Sequence, residues 1–194
     1  MKVFTVECIG DKYKALDVDR SGYASESEYK AAYDSLRFAG LEKESWLPPK
    51  MHFRNPLKPA PDFWMLLVSS AAFAVGPKAV ETVYSFLEMA GEVLPLPVKG
   101  YELAILNVLK CYDCIDPNRS EWRTLPDSNV RGGLRKPFFV PEHMQMSTIF
   151  KIPEWRHRVF CWEEDRDPET EFKACVEKNK LKGLEFELVW SDEE

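Results

Sequence analysis

The stretch Tyr101-Glu102-Leu103-Ala104-Ile105-Leu106-Asn107-Val108-Leu109-Lys110-Cys111-Tyr112-Asp113 carries Leu103, Ile105, Asn107, Leu109 and Cys111 at one set of alternate positions. Ala104, Leu106, Val108 and Tyr112 occupy the other set. Successive side chains of a strand point to opposite faces, so both faces here are apolar, and the stretch predicts a strand inside a sheet. Before it, Val93-Leu94-Pro95-Leu96-Pro97-Val98 reads as a second strand. Gly76-Pro77 opens a helix in which Val80, Val83, Tyr84 and Leu87 share one face, and Gly91 closes it. Far downstream, Leu184, Phe186, Leu188 and Trp190 alternate with Glu185 and Glu187, the pattern of a strand with one buried face. One-faced strands mixed with separate helices predict the α+β class. The expectation is one domain over residues 1–194, a mostly antiparallel sheet flanked by about three helices.

Working outward, Lys2 to Val18 mixes β-branched and aromatic residues and reads as one or two strands. Ser25 followed by Glu28 forms a capping box, after which Tyr29, Ala32, Tyr33 and Leu36 recur at helical spacing until Gly40. Residues 1–45 are thus a strand-turn-helix part. Trp46 to Pro61 is rich in proline and predicts an extended loop, since proline fixes φ and removes a donor. Phe63 to Val75 reads as strand, while Asp116-Pro117-Asn118 and Asn129 to Gly133 read as loops. Further strands are expected over Thr148–Ile152 and Arg158–Trp162. A helix is expected from Asp167 to Asn179, capped by Asp167, with Phe172, Cys175 and Val176 inward and Gly183 after its end.

With 194 residues, 45% hydrophobic and 30% charged, the chain is of ordinary globular composition and long enough to bury a core. Its 12 Phe, 7 Tyr and 6 Trp are many for this length, and each large ring contributes strongly to burial in a core or at a partner interface. Met1 to Glu7 lacks a basic region followed by a long apolar run, so no secretory signal is read and a cytoplasmic location is expected. The longest apolar stretch, Phe63 to Val75, is shorter than the roughly 20 residues that span a bilayer. Five cysteines without a secretory signal are expected as reduced thiols. A net charge of -6 argues against nucleic acid, whose phosphates need clustered Lys and Arg, and suits a basic protein partner better. Self-association stays open.

The sharpest motif is Asp17-Val18-Asp19-Arg20-Ser21-Gly22-Tyr23-Ala24-Ser25-Glu26-Ser27-Glu28. Asp17, Asp19, Ser21, Tyr23 and Glu28 fall where an EF-hand loop places ligands, with Gly22 at its sharp turn. An EF-hand needs a helix entering the loop, whereas strand-like residues enter this one. A turn at Ser21-Gly22 followed by the capping box explains the same residues, and no cofactor is expected. Cys111 and Cys114 have the spacing of half a zinc knuckle, with Cys161, Cys175 or His157 as remote completions; a buried hydrophobe is the ordinary role for such a cysteine. His52, His143 and His157 are the available bases, and no Ser or Cys elbow adjoins them. Arg131 to Lys136 reads as a basic loop able to hold an anion. Acidity concentrates at Glu163-Glu164-Asp165, Asp167, Glu169 and Glu171 and again at Asp192-Glu193-Glu194. Part of it suits a helix start, and the remainder is free to steer a basic partner.

Several segments in order resemble the immunity proteins of bacterial polymorphic toxin and type VI competition systems, a family first catalogued as a domain of unknown function. They are Trp46-Leu47-Pro48, Pro77 to Leu87, Gly91-Glu92-Val93-Leu94-Pro95-Leu96, Asn107, Asp116 and Ser120. Ile149-Phe150-Lys151-Ile152-Pro153, Leu181-Lys182-Gly183-Leu184-Glu185-Phe186 and Val189-Trp190 complete them. The likeness covers residues 46–194 best. It implies a non-enzymatic protein that neutralises a cognate toxin by stoichiometric occlusion, with a binding surface that varies with the toxin. It carries no catalytic residues and no calcium loop; a calcium-regulated module or a small hydrolase are the alternatives. Its recurring positions read as structural: Gly91 a helix stop, Pro95 a strand edge, Gly183 a helix cap, and Phe150, Phe186 and Trp190 core. Exposed Trp122, Trp155 and Trp162 with Glu163, Glu164, Asp165 and Asp167 are the expected partner contacts.

Overall fold

Two antiparallel-dominated sheets contribute residues to one shared apolar cluster. The computed structural model describes residues 1–37, 44, 46–124 and 131–193. In chain order the elements are β1 (Lys2–Cys8), β2 (Ala15–Val18), α1 (Glu26–Arg37), β3 (Met51–Arg54), β4 (Phe63–Leu66), β5 (Ser69–Val75), α2 (Pro77–Ala90), β6 (Gly91–Val98) and β7 (Tyr101–Val108). There follow β8 (Glu121–Thr124), β9 (Arg131–Lys136), β10 (Ile149–Phe150), β11 (Val159–Glu163), α3 (Phe172–Lys178) and β12 (Leu184–Ser191). The smaller sheet has the order β10-β11-β1-β12, the larger β3-β2-β4-β5-β7-β6, and β8-β9 is a separate hairpin. Every strand pair is antiparallel except β2 with β4. The class is therefore α+β with mostly antiparallel pairing, the strands being divided between two sheets and a hairpin.

β7 lies between β5 and β6, as its two apolar faces require. It ends at Val108, and Leu109 and Cys111 beyond it are exposed. β6 is an edge strand, which accommodates Pro95 and Pro97 because neither needs an outward N–H. The same N-terminal part supplies both sheets: β1 sits inside the smaller one, between β11 and β12, and β2 inside the larger. Phe4 and Val6 of β1, Phe63 and Phe73 of the larger sheet, Val83 and Leu87 of α2, and Phe172 and Val176 of α3 form the shared cluster. The opposite face of the smaller sheet packs Val3, Phe160 and Trp190 against Leu134, Phe139 and Phe150.

The structure corrects several expectations. The proline-rich stretch contains strand β3, whose partner β2 satisfies its backbone. Phe63 to Val75 is a hairpin, β4 and β5, turning at Leu67-Val68. Arg131-Gly132-Gly133 belongs to β9, so the basic segment is strand and not loop. The buried stripe of α2 is Ala79, Val83, Phe86, Leu87 and Ala90, with Tyr84 outside it. α3 begins at Phe172, five residues after Asp167, because the intervening turn is built around the Glu171 side chain. Along β12 the alternation breaks at a bulge opposite Val3 and Phe4, which turns Leu188 outward while Trp190 stays buried. Gly40, Asn129 and Glu194, each part of an expectation above, lie outside the described residues.

Gly183 does not cap α3. That helix ends at Lys178, and Lys180 takes the left-handed φ of 52°. Gly183 stands at the entrance to β12 with φ 108°, where a Cβ would lie 2.1 Å from the Phe63 carbonyl oxygen. Only glycine fits such an approach at positive φ. We expect Gly183→Ala to lower stability by about 3 kcal/mol or more, read from urea unfolding monitored by tryptophan fluorescence. A change within about 0.5 kcal/mol would contradict this packing.

Candidate partner interface

The acidic run after β11 is built into the fold more deeply than its composition suggests. Glu171 is buried, and its carboxylate accepts backbone N–H groups from Glu164 at 2.7 Å, Asp165 at 2.9 Å and Asp167 at 3.1 Å. Three donors on one carboxylate make a charge-assisted clamp on the turn. Asp167 accepts from the Glu169 N–H and the Thr170 hydroxyl, both at 3.0 Å. Glu163 is buried and faces the Lys173 ammonium at 3.3 Å; Lys173 also meets Glu177 at 2.9 Å and lies 4.8 Å from the Phe4 ring centre. Burial acts to lower the Lys173 pKa, but the bonds to Glu177 and Glu163 outweigh it and raise the value. Of the expected acidic contacts, Glu163 is thus interior and Asp167 half-buried, while Glu164 and Asp165 are exposed, as is neighbouring Glu169.

The three tryptophans are likewise not exposed. Each is half-buried, packs against the cluster on the outer face of the smaller sheet, and donates its indole N–H to a carbonyl. Trp122 donates to Pro117 at 3.0 Å, Trp155 to Leu134 at 3.2 Å and Trp162 to Ser147 at 3.1 Å. Trp155 also stacks on Phe160 with ring planes 11° apart. They tie the β8-β9 hairpin and neighbouring turns to the sheet. Sequence alone did not separate this role from a partner contact, because an amphipathic ring serves both.

A basic groove emerges where a loop was expected. Arg123 of β8, Arg135 and Lys136 of β9, and Arg158 line a cleft of about 560 Å³ together with His157, Trp155, Glu154 and Glu187. Arg123, Arg135 and Lys136 are exposed. The Arg158 guanidinium lies 4.9 Å from the Trp155 ring centre. Strands β8 and β9 present Arg123, Arg135 and Lys136, Arg158 precedes β11, and β12 adds Glu187 and Val189 to the lining. A second crevice, about 410 Å³, joins β1 to the β4-β5 turn and is lined by Glu7, Cys8, Ser69, Ser70, His157 and Arg158, among others. There the Cys8 thiol is pushed well up, first by burial and then by the Glu7 charge, which suppresses the nucleophilic thiolate.

The histidines stand on separate elements: half-buried His52 on β3 opposite Asp17, exposed His143 with Nδ1 3.0 Å from the Asp113 carbonyl, and exposed His157. Asp17 lies on β2, so a strand enters the EF-hand-like loop, and its carboxylate accepts the Val18 N–H at 2.9 Å. Asp19 caps the following turn, taking the Ser21 hydroxyl at 2.6 Å and N–H at 3.0 Å. That hydroxyl bond leads the causes that lower the Asp19 pKa. Tyr23 accepts the Lys50 N–H at 2.9 Å, and Glu28 takes the Ala24 N–H at 3.1 Å while Ser25 takes that of Glu28 at 3.3 Å. Among the described residues, no three of His, Cys, Asp and Glu gather as a metal site. No helix among them is long and apolar enough to cross a membrane. No protein-family model matches the chain, and no curated protein is significantly similar to it.

Glu171→Ala removes the clamp on three N–H groups and should cost about 2–4 kcal/mol in urea unfolding, whereas Glu164→Ala should change stability by less than about 0.5 kcal/mol. Equal effects would contradict the assignment. A pH dependence follows from the buried thiols. Burial, then Glu154 and Asp113, push the Cys114 thiol from 9.0 up to about 12, and burial also raises Cys8 and Cys161. The fold keeps these groups neutral after an unfolded thiol has ionised. Their contribution is therefore fully present below pH 9 and is lost as pH climbs toward 12. Unfolding curves at successive alkaline pH values should show that decline, and Cys114→Ala should flatten it.

Proposed function

We propose that this chain is a binding protein of the immunity type, cytoplasmic and non-catalytic, which neutralises a toxin by covering its active or substrate-binding surface. The observation that carries the reading is a division of labour along the chain. Several residues that carry the family resemblance lie in the frame, although Leu47 and Tyr84 are exposed: Gly91 would clash with the Asn107 carbonyl at 2.0 Å if it bore a Cβ, Pro95 is on edge strand β6, and Phe150 and Trp190 are buried. Arg123, Arg135, Lys136 and Arg158, and the exposed Glu164, Asp165 and Glu169, fall between those segments. A frame with charged surfaces on the intervening segments is what a protein needs when its partner changes and its fold does not. Tight protein pairs bury roughly 1,600 Å² and draw specificity from complementary charge at their rims.

The exposed carboxylates cluster near one end of the smaller sheet. Lys2 pairs with Glu163 on one side and Ser191 on the other, which brings the turn after β11 close to Asp192 and Glu193. Asp192 is held by the N-terminal ammonium at 2.6 Å and Glu193 by Lys2 at 3.2 Å, leaving Glu164, Asp165 and Glu169 as the outward acids. A basic patch on the toxin is their natural counterpart.

The experiment is co-expression with the product of the adjacent gene. The two should co-purify at equal stoichiometry, with relief of toxicity and no turnover of any toxin component. The combined reversal Glu164→Lys, Asp165→Lys and Glu169→Lys should weaken the complex by on the order of tenfold or more without unfolding the chain. Failure to co-purify or to relieve toxicity would sink the proposal.

A further inference from the structure

We infer that the groove between β9 and β12 is a binding site for an extended acidic segment of a protein partner. The inference deepens the proposed function and rests on it only for the identity of that partner. Arg123, Arg135, Lys136 and Arg158 place four permanent cations on its lining, against the carboxylates of Glu154 and Glu187, in a chain whose net charge is -6. Among the described residues, Arg123, Arg135 and Lys136 have no ion-pair partner. Their charges are therefore available to an incoming anion.

The lining also says which kind of anion. A nucleic-acid backbone presents uniform negative charge and would meet Glu154 and Glu187 inside the groove and the acidic end of the same sheet beyond it. A peptide alternates donors and acceptors. Its carboxylates can take Arg135 and Lys136, whose guanidinium and ammonium groups form strong charge-assisted bonds, while its backbone N–H groups face the acids. Glu187, exposed on β12, is the acid such a donor can reach. Trp155, stacked on Phe160 and covered by the Arg158 guanidinium, fixes that cation on the lining of the groove. Glu185 and Glu187 on the free edge of β12 discourage another chain from simply extending the sheet, which keeps the approach to the groove and away from the edge.

The test uses the full chain and a fluorescent peptide of alternating Glu and Val, followed by anisotropy over a salt series. Binding should weaken steeply with salt, and the double variant Arg135→Glu, Lys136→Glu should lose on the order of tenfold or more in affinity. Lys30→Glu, an exposed reversal on α1, should bind as the parent does, and both variants should melt like it. The inference is overturned if the double variant binds the peptide as well as the parent does, or if the Lys30 variant loses as much. A single-stranded oligonucleotide of equal charge that binds more tightly than the peptide also overturns it. Should the peptide fail while the adjacent gene's product still co-purifies, the groove assignment falls and the proposed function stands. Peptide binding without that complex has the opposite meaning.

Discussion

The contact between residues 62–63 and 182–183 is the constraint on which the remaining architecture depends. The N–H groups of Asp62 and Phe63 both donate to the Lys182 carbonyl at 2.9 Å, and the Asp62 carboxylate accepts the Lys182 N–H at 2.7 Å. Gly183, with no Cβ, lets the two chains close to that distance, and its own carbonyl takes the Ile9 N–H at 2.9 Å. The larger sheet enters through β4 at this point and the smaller through β12, so one junction registers both. Phe63 stands directly behind it, fully buried, with the rings of Phe73 at 5.8 Å and Phe172 at 6.0 Å. Rings in this edge-to-face arrangement bring the strands of one sheet and the helix of the other into a common core.

Local chemistry made much of this legible in advance. The capping box at Ser25 and Glu28, the proline at the start of α2 and the two apolar faces of β7 are written in adjacent residues, and the corresponding elements formed. What could not be read depends on residues far apart in the chain. A run such as Phe63 to Val75 has no glycine or proline at its turn, so its hairpin is decided by pairing with β7 and β2. Met51–Arg54 becomes a strand because β2 offers an open edge, despite prolines on either side. Phe172, and not Asp167, begins the last helix because Glu171 folds back on the preceding turn. The bulge in β12 is set by its pairing with β1, which is invisible in an alternating pattern.

The same distinction runs through the candidate interface. Charge and aromatic content were readable as quantities, but their placement was not. Glu163 and Glu171 serve the interior, the Trp155 indole reaches Leu134 of the hairpin, and those of Trp122 and Trp162 hold neighbouring turns. The acids left outward are fewer than the sequence suggests, and the cations of β8 and β9 gain significance because Arg158 and His157, distant in sequence, come to line the same cleft. A surface with carboxylates at one end and cations along one flank is polarised, and a polarised surface orients a partner as well as attracting it.

Hydrogen exchange on the chain alone and in complex with the adjacent gene's product tests most directly whether this polarised face of the smaller sheet is where a partner sits. Exchange should slow in β9, β12 and the turn after β11, with α1 and β3 unchanged. Protection centred on α1 and β3, with β9 and β12 exchanging as in the free chain, would contradict that placement.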